Sequence, residues 1–272
     1  MWRRFLLPGL TIMLAACGDG ALVGSDAAVE AVPTSPPVAA TSAAVPAPPA
    51  EARSEKEANE LYEFEYSYPA AAAAIPGLKA LLDRRLTESR SELAAEAQKA
   101  KKEAKADGYP YRTYAAATTW SVVADTPRFL SLSAQVYTYS GGAHGMTVFD
   151  TILWDKQAGK MVLPSEIFTS NAALRDAIRQ PFCKALDVQR AKKREGLDWS
   201  ADDIFGECID PTEHTIILGS SNGQVLDRIG VLVEPYAAGP YAEGSYDVTV
   251  PVTGKVMATV KPQYRSALAL GS

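Results

Sequence analysis

From Leu61 to Tyr68 bulky and acidic residues alternate: Leu61, Tyr62, Glu63, Phe64, Glu65, Tyr66, Ser67, Tyr68. A period of two predicts a half-buried strand over 61–68, closed by Pro69. After Pro76 and Gly77 the apolar spacing changes to three, four and seven at Leu78, Leu81, Leu82, Leu86 and Leu93. This predicts a long helix over 78–105 that stops at Asp107 and Gly108. Its second half is Ala, Lys and Glu, the composition of a solvated helix face. Segments rich in β-branched and aromatic residues follow at 113–123, 129–139 and 147–154, bounded by turn residues at 125–127, 141–145 and 155–159. They predict consecutive antiparallel strands. Asn171 opens a second helix through Leu174, Ile178 and Leu186, with a kink expected near Pro181 and a solvated, charged end at 190–195. Strands are expected again over 215–218, 230–234, 246–250 and 255–260. Strands and helices in separate blocks predict an α+β fold of antiparallel sheets with two main helices, the long one following the first strand.

The first 60 residues have a different pattern. Arg3 and Arg4 precede an apolar run from Phe5 to Ala16, which is an export signal over 1–16, too short for a permanent membrane span. Leu14, Ala15, Ala16 and Cys17 resemble the bacterial lipobox, where the signal is cut before the cysteine and the thiol receives a diacyl group, palmitate included. Each buried methylene contributes roughly 0.8 kcal/mol, so two or three chains hold a protein on a membrane almost permanently. Gly18 at the following position is compatible with delivery to the outer membrane of a Gram-negative cell, facing the periplasm. Beyond it lies an Ala- and Pro-rich tether, with the lipidated cysteine spanning 17–55 and six prolines between Pro33 and Pro49. Polyproline-like chain rises about 3.1 Å per residue, so some thirty residues reach roughly 90 Å.

Charge and cysteine count sharpen this picture. Over 272 residues, 27 basic and 32 acidic side chains give a net charge of -5. Cleavage after Ala16 removes two of the 27 basic residues and none of the acidic ones, leaving -7 on the mature chain. A nucleic-acid partner, which would need a concentrated positive surface, is excluded by this balance; a partner steered by charge would be cationic. With Cys17 assigned to lipid, Cys183 and Cys208 remain, 25 positions apart in an exported chain, and are expected to form a disulfide. No CxxC or HExxH occurs and neither histidine has a partner at ligand spacing, so no metal or cofactor is expected.

Catalytic signals are sparse. Gly219, Ser220, Ser221, Asn222 and Gly223 match GxSxG formally, but both histidines, His144 and His214, precede Ser221, and Asn222–Gly223 is an ordinary turn signal. The unusual local sequence is Tyr137, Thr138, Tyr139, Ser140, Gly141, Gly142, Ala143, His144, Gly145. Glycines around a histidine let something approach closely. Two readings stand: a partner contact made by Tyr139, Gly141, Gly142 and His144, or a strand connection whose histidine bonds nearby backbone. Tyr236 and Tyr241 either join a contact surface or are half-buried sheet residues.

This YTYSGGAHG run, followed by Phe149 and Asp150 and then by Leu163 to Phe168, resembles the central signature of bacterial exported modules known as DUF4163 and DUF3298. Asp227 to Gly230 and Glu234 to Gly244 resemble that family's later proline-tyrosine and glycine motif. On this resemblance a DUF4163-like module covers 56–145 and a DUF3298-like module covers 146–272. Relatives include the sensor region of a lysozyme-binding anti-sigma factor and the amino-terminal module of a peptidoglycan deacetylase. The sequence is expected to carry neither a sigma-binding segment nor a deacetylase domain, so neither activity is carried over. The resemblance implies an α+β fold outside the cytoplasm and recognition of an envelope component or a lysozyme-like protein; together with the lipobox and the sparse catalytic signals, it leads to the expectation of a non-catalytic envelope lipoprotein that recognises peptidoglycan or a cationic lysozyme-like protein. An assembly scaffold and a peptidoglycan-active hydrolase stay open as alternatives.

Overall fold

The computed structural model describes residues 50–195 and 204–271. The export signal, Cys17 and the tether up to residue 49 lie outside the described residues.

The predicted alternation at 61–68 becomes strand β2 (Tyr62–Tyr68), whose four aromatic rings face inward while Glu63 and Glu65 face out. It is preceded by β1 (Arg53–Ala58), which begins within the last residues of the stretch read as tether. β1 pairs antiparallel with β2 from Arg53↔Tyr68 to Ala58↔Glu63. Its charged sequence reads as polar coil because it is an edge strand, and charge on an edge discourages pairing with other chains. After a short α1 (Ala70–Ala73), helix α2 (Pro76–Asp107) starts with proline in its first turn, where no backbone donor is lost, and ends on Gly108 at φ 76°. Leu78, Leu82, Leu86 and Leu93 form its buried stripe, which narrows to Ala97 and Ala104 in the Lys/Glu-rich half. This helix is the crossover that makes β2 and β3 (Tyr114–Asp125) parallel. β4 (Phe129–Tyr139), β5 (Met146–Asp155) and β6 (Lys160–Val162) then add antiparallel, completing a six-stranded sheet in chain order. The 145/146 division between the two resemblance-based modules falls in the β4–β5 turn, and the two strands pair from Phe129↔Asp155 to Thr138↔Met146.

Helix α3 (Asn171–Lys193) is capped by the Ser170 hydroxyl, which accepts from the Ala173 amide, and runs through Pro181. A second, antiparallel sheet follows, of β7 (Thr215–Gly219), β8 (Arg228–Val233) and β9 (Tyr246–Pro251). The expected strand over 255–260 is instead helix α4 (Gly254–Thr259). The Thr253 hydroxyl caps it, and Val256 and Val260, four residues apart, are buried together. A second correction concerns 190–195, read as a solvated end: Arg190 is 0% exposed and Arg194 is buried.

Two cores result. One lies between α2 and the first sheet and holds Phe64, Tyr66, Leu82, Trp120, Leu132 and Trp154. The other joins Phe129 and Leu153, from the opposite face of the same sheet, to Leu218, Ile229, Val248 and the α3 residues Ile178 and Phe182. β7 lies against β3, β4 and β5, and α3 against β9. The first sheet is thus covered on both faces near Phe129–Leu132, whereas Ala115, Ala117, Thr119, Gln135 and Tyr137 lie on a face not fully covered. Cys183 and Cys208 are disulfide-bonded, with Cα atoms 5.5 Å apart, and tie α3 to the segment before β7. Among the described residues no helix is long and apolar enough to cross a membrane.

Candidate functional site

The glycine-histidine turn joins β4 to β5. Gly141 sits at φ 86°, which a side chain would strain. The carbonyls of Gly141 and Gly142 accept from Arg112 Nη1 at 3.3 and 3.0 Å, and Gly142 also accepts from the Tyr139 hydroxyl at 3.1 Å. A Cβ on Gly145 would stand 2.3 Å from the Tyr137 ring, so only glycine lets that ring lie over the turn.

Into this corner comes the loop before β9, from ninety residues further along the chain. The His144 and Tyr241 rings stack with centroids 3.8 Å apart and planes at 21°, and Tyr236 lies against both at 6.2 and 5.5 Å. Polar edges lock the stack. Tyr241 donates its hydroxyl to the Gly145 carbonyl at 2.9 Å. His144 Nδ1 is 2.9 Å from the same carbonyl, which can only accept, so Nδ1 carries the proton. In the neutral ring Nε2 is then an acceptor, and it receives the Tyr236 hydroxyl at 3.2 Å.

Tyr236 has φ 74°, a left-handed conformation that a bulky L-residue adopts at a cost of about 1–2 kcal/mol. It is nevertheless 47% exposed. What holds it there lies beneath. Arg190, buried at the end of α3, donates Nε to the Ala238 carbonyl at 2.9 Å and its remaining nitrogens to Gly206 and Glu207 carbonyls at 3.2 and 3.0 Å. Arg194 reaches Ala238 at 3.3 Å and grips Glu243 through two bonds of 2.7 and 3.1 Å. Glu243 also accepts from the Tyr246 hydroxyl. Burial raises the Glu243 carboxyl, but the hydrogen bonds from Arg194 and Tyr246 outweigh this and hold it below its ordinary range. Arg190 in the last turn of α3 and Arg194 at its cap thus hold the stretch carrying Tyr236 and Tyr241 at Ala238, between the two tyrosines, and at Glu243, just after them.

The structure therefore gathers His144, Tyr236 and Tyr241 into one aromatic platform, with Tyr139, Gly141 and Gly142 in the turn beside it. Its rings, exposed at His144 and Tyr236 and half-buried at Tyr241, suit contact with a ring-bearing or aromatic surface. Sequence reasoning missed Arg112, Arg190 and Arg194. It also missed a cleft of about 610 Å³ against the turn, lined by Tyr109, Tyr111, Arg112, Tyr114, Gly141 and Gly142. The crowding of Tyr109, Tyr111 and Tyr114 into six residues was the available signal. Ser221 of the GxSxG match bonds Asp227 through both its amide and its hydroxyl, bracing a turn. His214 is bonded to Glu234 at 3.2 Å.

Nothing among the curated proteins matches the chain. It is similar to the crystal structure of a DUF3298 family protein from Pseudomonas aeruginosa PAO1, at 14% identity over 79% of this chain and 96% of that one, with a TM-score of 0.45. A DUF3298 family member from Bacteroides fragilis is similar at 17% identity over 82% of this chain and 94% of that one, with a TM-score of 0.46. Residues 55–147, from β1 to the first residues of β5, match the family model described as Deacetylase PdaC, and that match contains both the tyrosine-lined cleft and the glycine-histidine turn.

Proposed function

We propose that the chain is a non-catalytic cell-envelope lipoprotein, anchored outside the cytoplasm through Cys17, whose folded body binds a peptidoglycan-related or lysozyme-like partner. The observation that carries this reading is Tyr236, an exposed aromatic residue kept in a strained backbone conformation by buried arginines and joined to His144. Strained backbone conformations held by surrounding structure cluster at functional sites, and an exposed aromatic ring in such a conformation supports a contact role. Tyrosine and histidine rings fixed before binding lose little side-chain entropy when a partner docks, which makes them good anchors. The net negative charge of the chain would steer a basic lysozyme toward it.

The test is titration of the purified full chain, by calorimetry, against a basic lysozyme and against soluble peptidoglycan fragments. Binding to at least one is expected, and replacing His144 or Tyr241 with alanine is expected to weaken it by about tenfold, the order of a moderate interface anchor. Loss of binding to both ligands in the unmodified protein overturns the reading.

A further inference from the structure

We infer that the cleft between the α2–β3 connection and the β4–β5 turn is a saccharide subsite, taking a pyranose chain that bears a carboxylate. The inference rests on the envelope-binding reading above and names a ligand chemistry for it.

Three observations carry it. First, the cleft has a volume of about 610 Å³, within the roughly 300–1,000 Å³ typical of small-ligand sites. Second, its wall is built of tyrosines. Gly108 ends α2 in a left-handed turn and releases the chain as Tyr109, Pro110, Tyr111, Arg112. Tyr111 is fixed by donating its hydroxyl to the Leu61 carbonyl at 2.5 Å and by stacking on Tyr114 with centroids 5.8 Å apart. Tyr109 stands 53% exposed beside them. A phenol offers an apolar face and a polar edge, which matches a pyranose ring, whose C–H bonds line its faces and whose hydroxyls ring its edge. Third, the charge of the lining runs against that of the molecule. In a chain of net charge -5, the lining holds Arg112 and no acidic residue. Arg112 commits Nη1 to the Gly141 and Gly142 carbonyls, and among the described residues its Nε and Nη2 meet no acceptor. A guanidinium anchored by one nitrogen, with Nε and Nη2 both to spare, has the geometry that suits a carboxylate. The same lining disfavours a basic protein at this place.

Arg112 also connects the cleft to the aromatic platform, because the carbonyls it holds belong to the turn that carries His144. A saccharide in the cleft therefore lies against the turn that carries the platform's His144.

The test measures binding of the full chain to chitotetraose, which is neutral, and to muramyl-containing peptidoglycan fragments, which carry carboxylates. Both are expected to bind, the muramyl fragments more tightly. Tyr109→Ala is expected to weaken both at least tenfold while leaving the circular dichroism and urea midpoint unchanged, since Tyr109 is exposed. Arg112→Gln is expected to erase the preference for the carboxylate-bearing ligand. Independently of any variant, titration of the unmodified protein with muramyl fragments should shift tyrosine ring resonances in NMR spectra. Binding to basic lysozyme but to neither saccharide overturns this inference and leaves the envelope-binding reading standing. Saccharide binding that is indifferent to Tyr109→Ala also overturns it, and loss of both lysozyme and saccharide binding overturns both.

Discussion

At the scale of single residues the informative positions are those that break a local rule. Tyr236 at φ 74° breaks one. Replacement by glycine removes the strain of about 1–2 kcal/mol and also removes two ring contacts, with His144 and with Tyr241, worth about 0.5–1.5 kcal/mol each at full burial and less at this half-exposed ring. The two effects nearly cancel. Tyr236→Gly is therefore expected to change the unfolding free energy by less than about 1 kcal/mol, while weakening partner binding as much as His144→Ala does. Urea denaturation and calorimetry on the same preparation check this; a large loss of stability would show that Tyr236 serves the fold. Gly145 is the complementary case, since its missing side chain is what seats Tyr137 over the turn. His144, Tyr236 and Tyr241 could be marked from sequence because glycine and proline surround them. Their stacking could not, since nothing local specifies that a loop ninety residues away arrives at the same corner.

At the scale of elements, the end of α3 shows how a charged run can mislead. Arg190, Lys192, Lys193 and Arg194 have the composition of a solvated helix end, and two of the four are buried. Arg190 is buried because three backbone carbonyls, of Gly206, Glu207 and Ala238, converge on it. Those carbonyls belong to segments without regular partners, and backbone acceptors left unpaired in the interior cost about 1–3 kcal/mol each. Arg190→Ala is expected to destabilise the protein by roughly 3–5 kcal/mol, the range for breaking a buried charged network, and to abolish partner binding by releasing the Tyr236 loop. Arg190→Lys, which supplies a charge without the planar fork, should recover less than half of that loss. Thermal unfolding of both variants checks the order, and an Arg190→Ala protein as stable as the parent would contradict the network described here. The misread strand at 255–260 has a similar cause: Val256 and Val260 fit either period, and the deciding feature is the Thr253 cap, a single hydroxyl. By contrast, β2 and α2 were legible because each has one buried face, which the hydrophobic period reports directly, and β3 to β5 were legible from β-branched and aromatic segments bounded by turn residues.

At the scale of the whole molecule, the same six-stranded sheet faces two cores, and buried tyrosines stand in both. Tyr66 accepts the Trp120 indole N–H at 2.9 Å, and Tyr68 donates to Asp83 at 2.6 Å, both beside α2. Tyr246 donates to Glu243 in the second core. Burial pushes each of the three phenols up to about 12, and the carboxylates beside Tyr68 and Tyr246 add to the shift. In the unfolded chain the same groups titrate near their ordinary value of about 10. Between these values the unfolded state gives up protons that the folded state retains, so alkali favours unfolding. The stabilisation from the three protonated phenols is fully present below about pH 10 and is lost progressively toward pH 12. Because the groups divide between the two cores, both should weaken over the same window, and the fold should lose stability as one unit. Equilibrium urea unfolding at pH 8, 10, 11 and 11.5, followed by circular dichroism, is expected to give a flat midpoint to pH 10 and a steep fall beyond it. Tyr68→Phe, which removes one of the three groups, should make that fall shallower. A midpoint that stays level to pH 11.5 would mean that these phenols ionise in the folded protein as readily as in the unfolded chain, contrary to the burial found at all three and to the carboxylate partners of Tyr68 and Tyr246.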